Sequence, residues 1–313
     1  MSLERAVESP RNLSRAEIVR LLADEDPAAM RELFAAARET KAKCGRTEVL
    51  PRGLIECSNV CAKDCLYCGI RKSNAACARY RLSEDEVAAC IAEARRRGYP
   101  AVAFQAGEIE SEANTAYYER LLALCDGLEV TLSLGEQTED VYRRWKDAGA
   151  LRYLIRIETS NRALYGALHP AACSFDRRVD CIRTLKRLGY VTGTGVMIGL
   201  PGQTVEDLAD DILFFAKENV DMVGMGPFIP HPATPMGRES AGALDLALRM
   251  IAVTRIYLQD VNIVSATALE ALDPSGGKDA GIAAGANVTM PNLTPESARA
   301  DYDLYPGKFE AVS

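Results

Sequence analysis

Short β-rich runs alternate with amphipathic helical stretches along most of this chain, and this alternation constrains the fold more than any other feature. Parallel strands need a crossover connection, which is normally a helix, so the pattern predicts an α/β fold with a parallel sheet. We expect about eight strands that close into a complete (β/α)8 TIM-type barrel, and an open doubly wound sheet is the main alternative. The predicted strands are Leu54–Cys57, Ala101–Gln105, Val130–Leu134, Tyr153–Glu158, Gly195–Gly199, Met222–Phe228, Asn262–Thr267 and Asn287–Met290.

Helical periodicity fills the intervals between these runs. Gly98, Gly149 and Gly189 each follow such a stretch, as expected of left-handed helix C-caps that lead into the next strand. The predicted helices are Ser83–Arg97, Thr115–Cys125, Glu139–Asp147, Phe175–Leu188, Val205–Glu218, Ala243–Tyr257 and Gly276–Ala284.

Both ends of the chain lack this alternation. Ser14 and Glu17 have the spacing of a capping box, which predicts a short helix, and a second helix is expected from about Pro27 to Lys43. We therefore predict an N-terminal helical extension over residues 1–50 and a barrel over residues 51–313. The last stretch, Pro291–Ser313, is rich in turn residues and is expected to cap one end of the barrel.

Charge and composition exclude several classes of partner. The 313 residues carry a formal net charge of −7, which disfavours binding to nucleic acid or to an anionic membrane surface. No apolar run approaches the roughly 20 residues of a membrane span, and the N-terminus has no secretory signal, so we expect a cytoplasmic protein. The ten cysteines are then expected to be reduced, and clustered cysteines point to a metal site.

One such cluster follows the first predicted strand. Cys61, Cys65 and Cys68 form a CxxxCxxC motif with Tyr67 before the last cysteine, at the position of the catalytic rim of a barrel. Three thiolates suit an iron–sulfur cluster that keeps one iron free of protein ligands and open to a substrate. The alternative is a structural zinc site, which needs a fourth ligand, and the nearest candidates are Cys57 and Cys77.

This motif after the first strand of a barrel resembles the radical S-adenosylmethionine (radical SAM) superfamily. The resemblance implies that Cys61, Cys65 and Cys68 hold a [4Fe-4S] cluster and that SAM chelates the fourth iron. It also implies reductive cleavage of SAM to a 5′-deoxyadenosyl radical. The stretches CSNVCAKDCLYCGIRK, LSLGE, GLPGQT, GPFIPHP and LYPGK resemble the radical SAM family of [FeFe]-hydrogenase maturases, and more loosely biotin synthase and methylornithine synthase.

The resemblance assigns SAM contacts near the first two strands. Tyr67 is expected to pack beside the cluster and the adenine. Gly107 and Glu108, in the run Gln105-Ala-Gly-Glu108, are similar to the element that positions the SAM amino group. A glutamate can accept from an ammonium, and a glycine lets backbone approach closely. The alternative is an ordinary strand-end turn with a solvated glutamate.

Two charged residues stand at alternate positions at the end of the fourth predicted strand. Arg156 and Glu158 are expected to face the barrel mouth, where they need a ligand or each other. By resemblance, Glu158 contacts the ribose or amine of SAM, and Arg156 contacts a carboxylate. The maturase pattern has a histidine where this chain has Ile157, and we expect Ile157 to point away from the cavity.

Further contacts are implied along the second half of the barrel. Arg178 matches the arginine that supports the SAM carboxylate, with Arg177 as its neighbouring alternative. Met197, in the glycine-bordered fifth strand, and Pro230, in the segment after the sixth, match positions near adenine. No catalytic acid or base is assigned.

The resemblance implies a radical SAM enzyme of hydrogenase maturation that acts on a cysteine-ligated iron carbonyl–cyanide synthon. Its implied partners are this small organometallic or amino-acid-derived substrate, an electron donor such as ferredoxin or flavodoxin, and the other hydrogenase maturases. The alternatives are a radical SAM enzyme acting on a small amino acid, as methylornithine synthase does, and a noncatalytic iron–sulfur or zinc protein.

Overall fold

The computed structural model describes residue 8 and residues 10–308. Within these residues, eight strands form a closed parallel ring in the order β1-β2-β3-β4-β5-β7-β8-β9, and β9 pairs back with β1. The predicted complete (β/α)8 barrel is therefore confirmed. The strands are β1 (Leu50–Ser58), β2 (Ala101–Ala106), β3 (Glu129–Ser133), β4 (Ala150–Leu154), β5 (Val191–Thr194), β6 (Met197–Ile198), β7 (Met222–Pro227), β8 (Asn262–Ser265) and β9 (Val288–Thr289).

Helices cover the outside of this ring. The seven predicted crossover helices are all present, with bounds that differ by at most three residues from the expectation at either end. Three short helices, Arg162–Leu168, Thr267–Leu272 and Glu296–Arg299, were not predicted. The helices are α1 (Arg15–Ala23), α2 (Pro27–Lys43), α3 (Glu84–Arg96), α4 (Glu112–Ala123), α5 (Glu139–Asp147), α6 (Arg162–Leu168), α7 (Phe175–Arg187), α8 (Val205–Lys217), α9 (Leu244–Leu258), α10 (Thr267–Leu272), α11 (Gly277–Ala283) and α12 (Glu296–Arg299).

The two faces of the sheet have different side chains. Val102 and Phe104 of β2 are buried in the main apolar core that the strands share with the helices. Because side chains alternate along a strand, Ala101 and Ala103 point to the barrel interior instead. Gly193 also lies on this inner face, where a Cβ atom would come within 2.8 Å of Leu154. Small residues at these positions take up little of the interior, and at Gly193 the space is filled by Leu154 and Met222 instead.

Three predicted strands have bounds that differ by four residues or more at one end. The first begins at Leu50 rather than at Leu54. The β4 ladder ends at Leu154 rather than at Glu158, whose backbone lies in the left-handed region, with φ +66°. Glu158 keeps only an isolated bridge to Val196. The fifth strand begins at Val191, earlier than predicted, and the chain resumes pairing at Met197–Ile198.

The N-terminal helices pack against α9 on the outside of the barrel. The capping box is confirmed, since Ser14 Oγ accepts the Glu17 N–H at 3.3 Å. Gly98, Gly149 and Gly189 have φ between +69° and +110°, which confirms their left-handed caps. The boundary between extension and barrel stays a prediction.

The C-terminal segment lies beside the cysteine loop. The Leu304 carbonyl accepts the Gly69 N–H at 3.0 Å, and the Asp301 carbonyl accepts from the Asn59 amide at 2.7 Å. The expected cap thus contacts the rim of the barrel at the carboxyl end of β1. The residues after 308 lie outside the described part of the chain.

None of the helices in the described residues is both long enough and apolar enough to cross a membrane.

Candidate active site

The cysteine motif lies in an irregular loop that leaves the carboxyl end of β1. Cys61 Sγ accepts two backbone hydrogen bonds, from Lys63 N at 3.4 Å and from Glu108 N at 3.3 Å. The Ala62 N–H donates to the Glu108 carbonyl at 2.8 Å. The start of the loop is therefore attached to the end of β2, and both lie at the barrel mouth.

Gly107 makes this attachment possible. A Cβ atom at Gly107 would lie 2.4 Å from the Val60 carbonyl oxygen and 2.7 Å from Cys61 Cβ. Such separations are far inside van der Waals contact, so a larger residue would push the loop away from β2. The sequence predicted a close approach at Gly107 but assigned it to SAM, whereas the structure places the cysteine loop there.

The donor set at this loop fits an iron–sulfur cluster. Burial raises the pKa of all three thiols, that of Cys65 to about 12, so they are neutral until a soft metal replaces the protons. Among the described residues, no three His, Cys, Asp or Glu side chains converge on a single metal ion. A cubane does not require convergence, because each cysteine binds a different iron. When a cluster is bound, Cys61, Cys65 and Cys68 are the residues that would hold it.

A chain of charged side chains runs along the mouth from the cysteine loop. Lys63 Nζ lies 3.0 Å from Glu108 Oε1 and 3.4 Å from Glu136 Oε2. Arg178 Nε donates to Glu136 Oε1 at 2.7 Å, and its Nη1 donates to the Arg156 carbonyl at 2.5 Å. Glu108 and Arg178, two predicted SAM contacts, are thus joined through Lys63 and Glu136.

Lys63 and Glu136 are the residues of this charged network that were not singled out from the sequence, and Glu136 is the more buried of the two. Its side chain is only 1% exposed, and the positive charges of Arg178, Lys63 and Arg177 lower its pKa against the opposing effect of burial. Burial raises the pKa of Glu108 instead. The available signal was position, since Glu136 directly follows Gly135 after a predicted strand, as Glu108 follows Gly107.

Arg156 and Glu158 face each other across the left-handed turn. Arg156 Nη2 lies 2.9 Å from Glu158 Oε2, and the same Nη2 donates to the Val196 carbonyl at 2.9 Å. The backbone of Glu158 is fixed by its N–H to the Gly195 carbonyl and by the Met197 N–H to its own carbonyl, both at 3.0 Å. A non-glycine residue in this conformation is strained, and such strain concentrates at functional sites.

Tyr67 connects the cysteine loop to this turn. Its hydroxyl lies 3.4 Å from Glu158 Oε1 and 3.5 Å from His169 Nε2. His169 Nδ1 must donate to the Tyr165 carbonyl at 2.9 Å, and burial lowers the pKa of His169 to about 4. His169 is therefore neutral, and its Nε2 can only accept.

An apolar wall completes the mouth. Tyr67 packs against a small buried cluster that includes Met197, the predicted adenine neighbour. Pro230 is half-buried just after β7. The next residue, His231, accepts the Ala233 N–H at Nδ1, so its Nε2 carries the proton and donates to Asp303 Oδ2 at 2.8 Å. The wall consists of Leu168, Met197, Leu200 and Phe228, with Tyr67 and Met236 against it.

Ile157 does not belong to this wall. It is completely buried in the main apolar core, and its N–H donates to Thr194 Oγ1 at 3.1 Å. This burial agrees with the expectation that Ile157 points away from the cavity, although the strand itself ends earlier than the expectation assumed.

A second polar group lies deeper on the inner strand faces and was missed from the sequence. Arg152 pairs directly with Thr131 in the β3–β4 register, and its Nη2 contacts Glu129. Within the described residues, Arg152 Nε and Nη1 and Thr131 Oγ1 are buried without a partner. Burial and the neighbouring charge of Arg152 lower the pKa of Arg52 to about 10. Arg152 is thus paired with Glu129 near the amino ends of the strands, on the side of the barrel away from the cysteine loop.

The chain is similar to known proteins over most of its length. The radical SAM superfamily model matches residues 55–215. The chain is 44% identical to the [FeFe] hydrogenase maturase subunit HydE of Thermotoga maritima over 299 residues, which is 95% of this chain and 85% of that protein. It is 25% identical over 294 residues to 3-methylornithine synthase of Methanosarcina acetivorans, covering 91% of this chain and 81% of the relative.

The fold also matches a solved structure. Methylornithine synthase (PylB) superposes with a TM-score of 0.84 at 24% identity, over 92% of this chain and 85% of that one. At this identity the likeness shows the barrel fold alone, whereas the family rests on the sequence matches. The chain belongs to the radical SAM superfamily of enzymes, and within it to the family of the [FeFe]-hydrogenase maturase HydE.

Proposed function

We propose that this enzyme acts in maturation of the [FeFe]-hydrogenase active-site cluster, on a cysteine-ligated iron carbonyl–cyanide synthon. The observation that carries the proposal is the 44% identity to HydE, which extends across the cysteine loop and the whole barrel. A [4Fe-4S] cluster and SAM are its proposed cofactors. When bound, they supply a 5′-deoxyadenosyl radical by one-electron cleavage of SAM.

The protein's own residues have separate tasks in this proposal. Cys61, Cys65 and Cys68 hold the cluster, and Tyr67 packs beside it. Glu158 and Arg156 bind the polar half of SAM once the ligand enters between them, which exchanges their mutual ion pair for contacts with SAM. Further proposed SAM contacts are Gly107, Glu108, Arg178, Met197 and Pro230.

Arg178 and Glu108 already have protein partners, and this arrangement limits their proposed roles. The Arg178 guanidinium is held by Glu136 and by the Arg156 carbonyl, so it reaches SAM only with its remaining donors. Glu108 is neutralised by Lys63. The paired network gives the mouth a fixed charge pattern, and a fixed pattern is what orients a charged ligand without reorganisation.

Buried donors line the lower part of the barrel interior. Arg52, Thr131 and Arg152 place them on the inner strand faces, and Arg152 pairs with Glu129 near the amino ends of the strands, away from the cysteine loop. The closed barrel also keeps water and stray hydrogen donors from a reactive radical.

The proposed partners and location follow from this chemistry. Reduction of the cluster needs an electron donor such as ferredoxin or flavodoxin, and transfer of the product needs the other hydrogenase maturases. We propose the cytoplasm as the site of action, in keeping with oxygen-sensitive chemistry. The net charge of −7 supports the expectation that nucleic acid and membranes are not partners.

The test has two parts. Purified protein is reconstituted anaerobically with iron and sulfide, and dithionite-dependent formation of 5′-deoxyadenosine is measured, with Cys65→Ala as the matched control. The gene is then expressed in a strain that lacks its hydrogenase maturase, and hydrogenase activity is measured. We expect SAM cleavage and restored hydrogenase activity. SAM cleavage without restoration would contradict the maturation role and favour a reaction on a small amino acid.

A further inference from the structure

We infer that Arg79 is a positioning residue for the iron–sulfur cluster, because its guanidinium clamps both ends of the cysteine loop. The chain between β1 and α3 has no helix, and its only pairing is an isolated bridge between Ser58 and Arg81. A loop of this kind has no ladder to satisfy its backbone carbonyls. Scattered backbone bonds satisfy some of them, as the Lys72 N–H does for the Lys63 carbonyl at 2.8 Å, and side-chain donors serve others.

Arg79 supplies such donors at four points of the described loop. Its Nη1 donates to the carbonyls of Asn59 and Ile70, both at 2.7 Å. Its Nη2 donates to the carbonyls of Arg71 at 2.6 Å and of Asn74 at 3.3 Å. Asn59 stands two residues before Cys61, and Ile70 stands two residues after Cys68. One planar group thus joins the entry and the exit of the motif.

The segment that carries Arg79 is itself anchored to the base of the loop. The completely buried Asn59 donates from Nδ2 to the Ala78 carbonyl at 2.6 Å, and its Oδ1 accepts the Tyr80 N–H at 2.8 Å. The residues immediately before and after Arg79 are therefore both hydrogen-bonded to the Asn59 side chain. This anchoring fixes the backbone of Arg79 at a position from which its guanidinium reaches the loop carbonyls.

No carboxylate pairs with Arg79 in the described part of the chain, although the protein has an excess of acidic residues. Its charge is satisfied by carbonyl dipoles alone. Arginine presents several donors in a rigid plane, whereas lysine concentrates its donors on one atom. The four-carbonyl clamp therefore requires arginine in particular.

This inference rests on the proposed cluster at Cys61, Cys65 and Cys68. The test compares Arg79→Gln and Arg79→Lys with Arg81→Gln, a matched control. Arg79 and Arg81 are both exposed, but the Arg81 side chain donates to Asn114 Oδ1 at 2.8 Å and lies over the Tyr117 ring instead of the loop carbonyls. Reconstituted proteins are mixed with an iron chelator, and the rate of iron loss is followed by absorbance. Melting temperatures are measured on the iron-free proteins.

We expect Arg79→Gln to lose iron at least about tenfold faster than wild type, which is the effect of losing a single charged hydrogen bond. Arg79→Lys should be intermediate, and Arg81→Gln should match wild type. All four carbonyls lie outside the barrel strands, so iron-free Arg79→Gln should melt within about 2 °C of wild type.

Three results would overturn the inference. Wild-type rates of iron loss in Arg79→Gln would show that the clamp does not position the cysteines. Full rescue by lysine would show that charge alone suffices. A large fall in the melting temperature of iron-free Arg79→Gln, with iron loss in proportion, would show general destabilisation. Failure of wild type to take up any cluster would refute the cluster assignment itself.

Discussion

The buried carboxyl of Asp211 should make a contribution to the free energy of unfolding that falls as the pH rises. Its side chain on α8 is completely buried, and Oδ1 accepts the Ser160 N–H at 2.6 Å. Within the described residues Oδ2 has no partner. Burial raises the pKa of Asp211 to about 7, and the charges of Asp207 and Asp210 act in the same direction.

The direction and size of this pH effect on stability follow from the pKa of Asp211. The unfolded chain releases the proton near its ordinary pKa of 3.8, whereas the folded protein holds it until about pH 7. The neutral carboxyl thus contributes stability that is fully present below pH 3.8 and is lost as pH rises to 7. The whole difference corresponds to about 4 kcal/mol, of which roughly half is lost between pH 5 and pH 7.

Asp211→Asn keeps the acceptor for Ser160 and cannot ionise. Its melting temperature relative to wild type should therefore rise between pH 5 and pH 8, by about 4 °C for a chain of this length. The assay is thermal unfolding of both iron-free proteins by circular dichroism at matched pH. Glu32→Gln is the control, because Glu32 is an exposed carboxylate on α2 and is not among the charges that act on Asp211. A difference between Asp211→Asn and wild type that stays constant with pH would refute the reasoning.

Four further changes test the site. Cys65→Ala should abolish 5′-deoxyadenosine formation and lower iron per chain, as measured on reconstituted protein. Gly107→Ala should lower iron content as well, because its Cβ would lie 2.4 Å from the Val60 carbonyl, and retention of full iron would contradict that clash. Glu158→Gln should weaken SAM binding in equilibrium dialysis by roughly 1.5–3 kcal/mol, the cost of a charge-assisted hydrogen bond. Ile157→His should leave SAM cleavage nearly intact, and a gain of hydrogenase maturation only in this variant would place residue 157 in substrate handling.

Sequence periodicity was sufficient for the barrel but not for the ends of its strands. The β-rich run Tyr153–Glu158 ends in alternating apolar and polar residues from Ile155 onward, so a strand was predicted over the whole run. The ladder stops at Leu154, and the left-handed backbone of Glu158 belongs to the mouth rather than to the sheet. A single φ angle of this kind has no signature in side-chain polarity.

The site was predictable where its residues are close in sequence. The cysteines and Tyr67 share one motif, and the Arg156–Glu158 pair lies within one run. Glu136 and Arg152 were missed because their importance depends on neighbours from other strands. Arg152 meets Thr131 only through the β3–β4 register, which no local pattern gives.

At position 158, the residue that favours the stability of the fold differs from the residue that the site needs. Its carboxylate faces Arg156 in the mouth, while its backbone adopts a conformation that glycine or asparagine would accept at lower cost. A selection for thermal stability alone would therefore favour the loss of this carboxylate. Engineering of a more robust enzyme should hold residue 158 fixed and seek its gains on the outer helices.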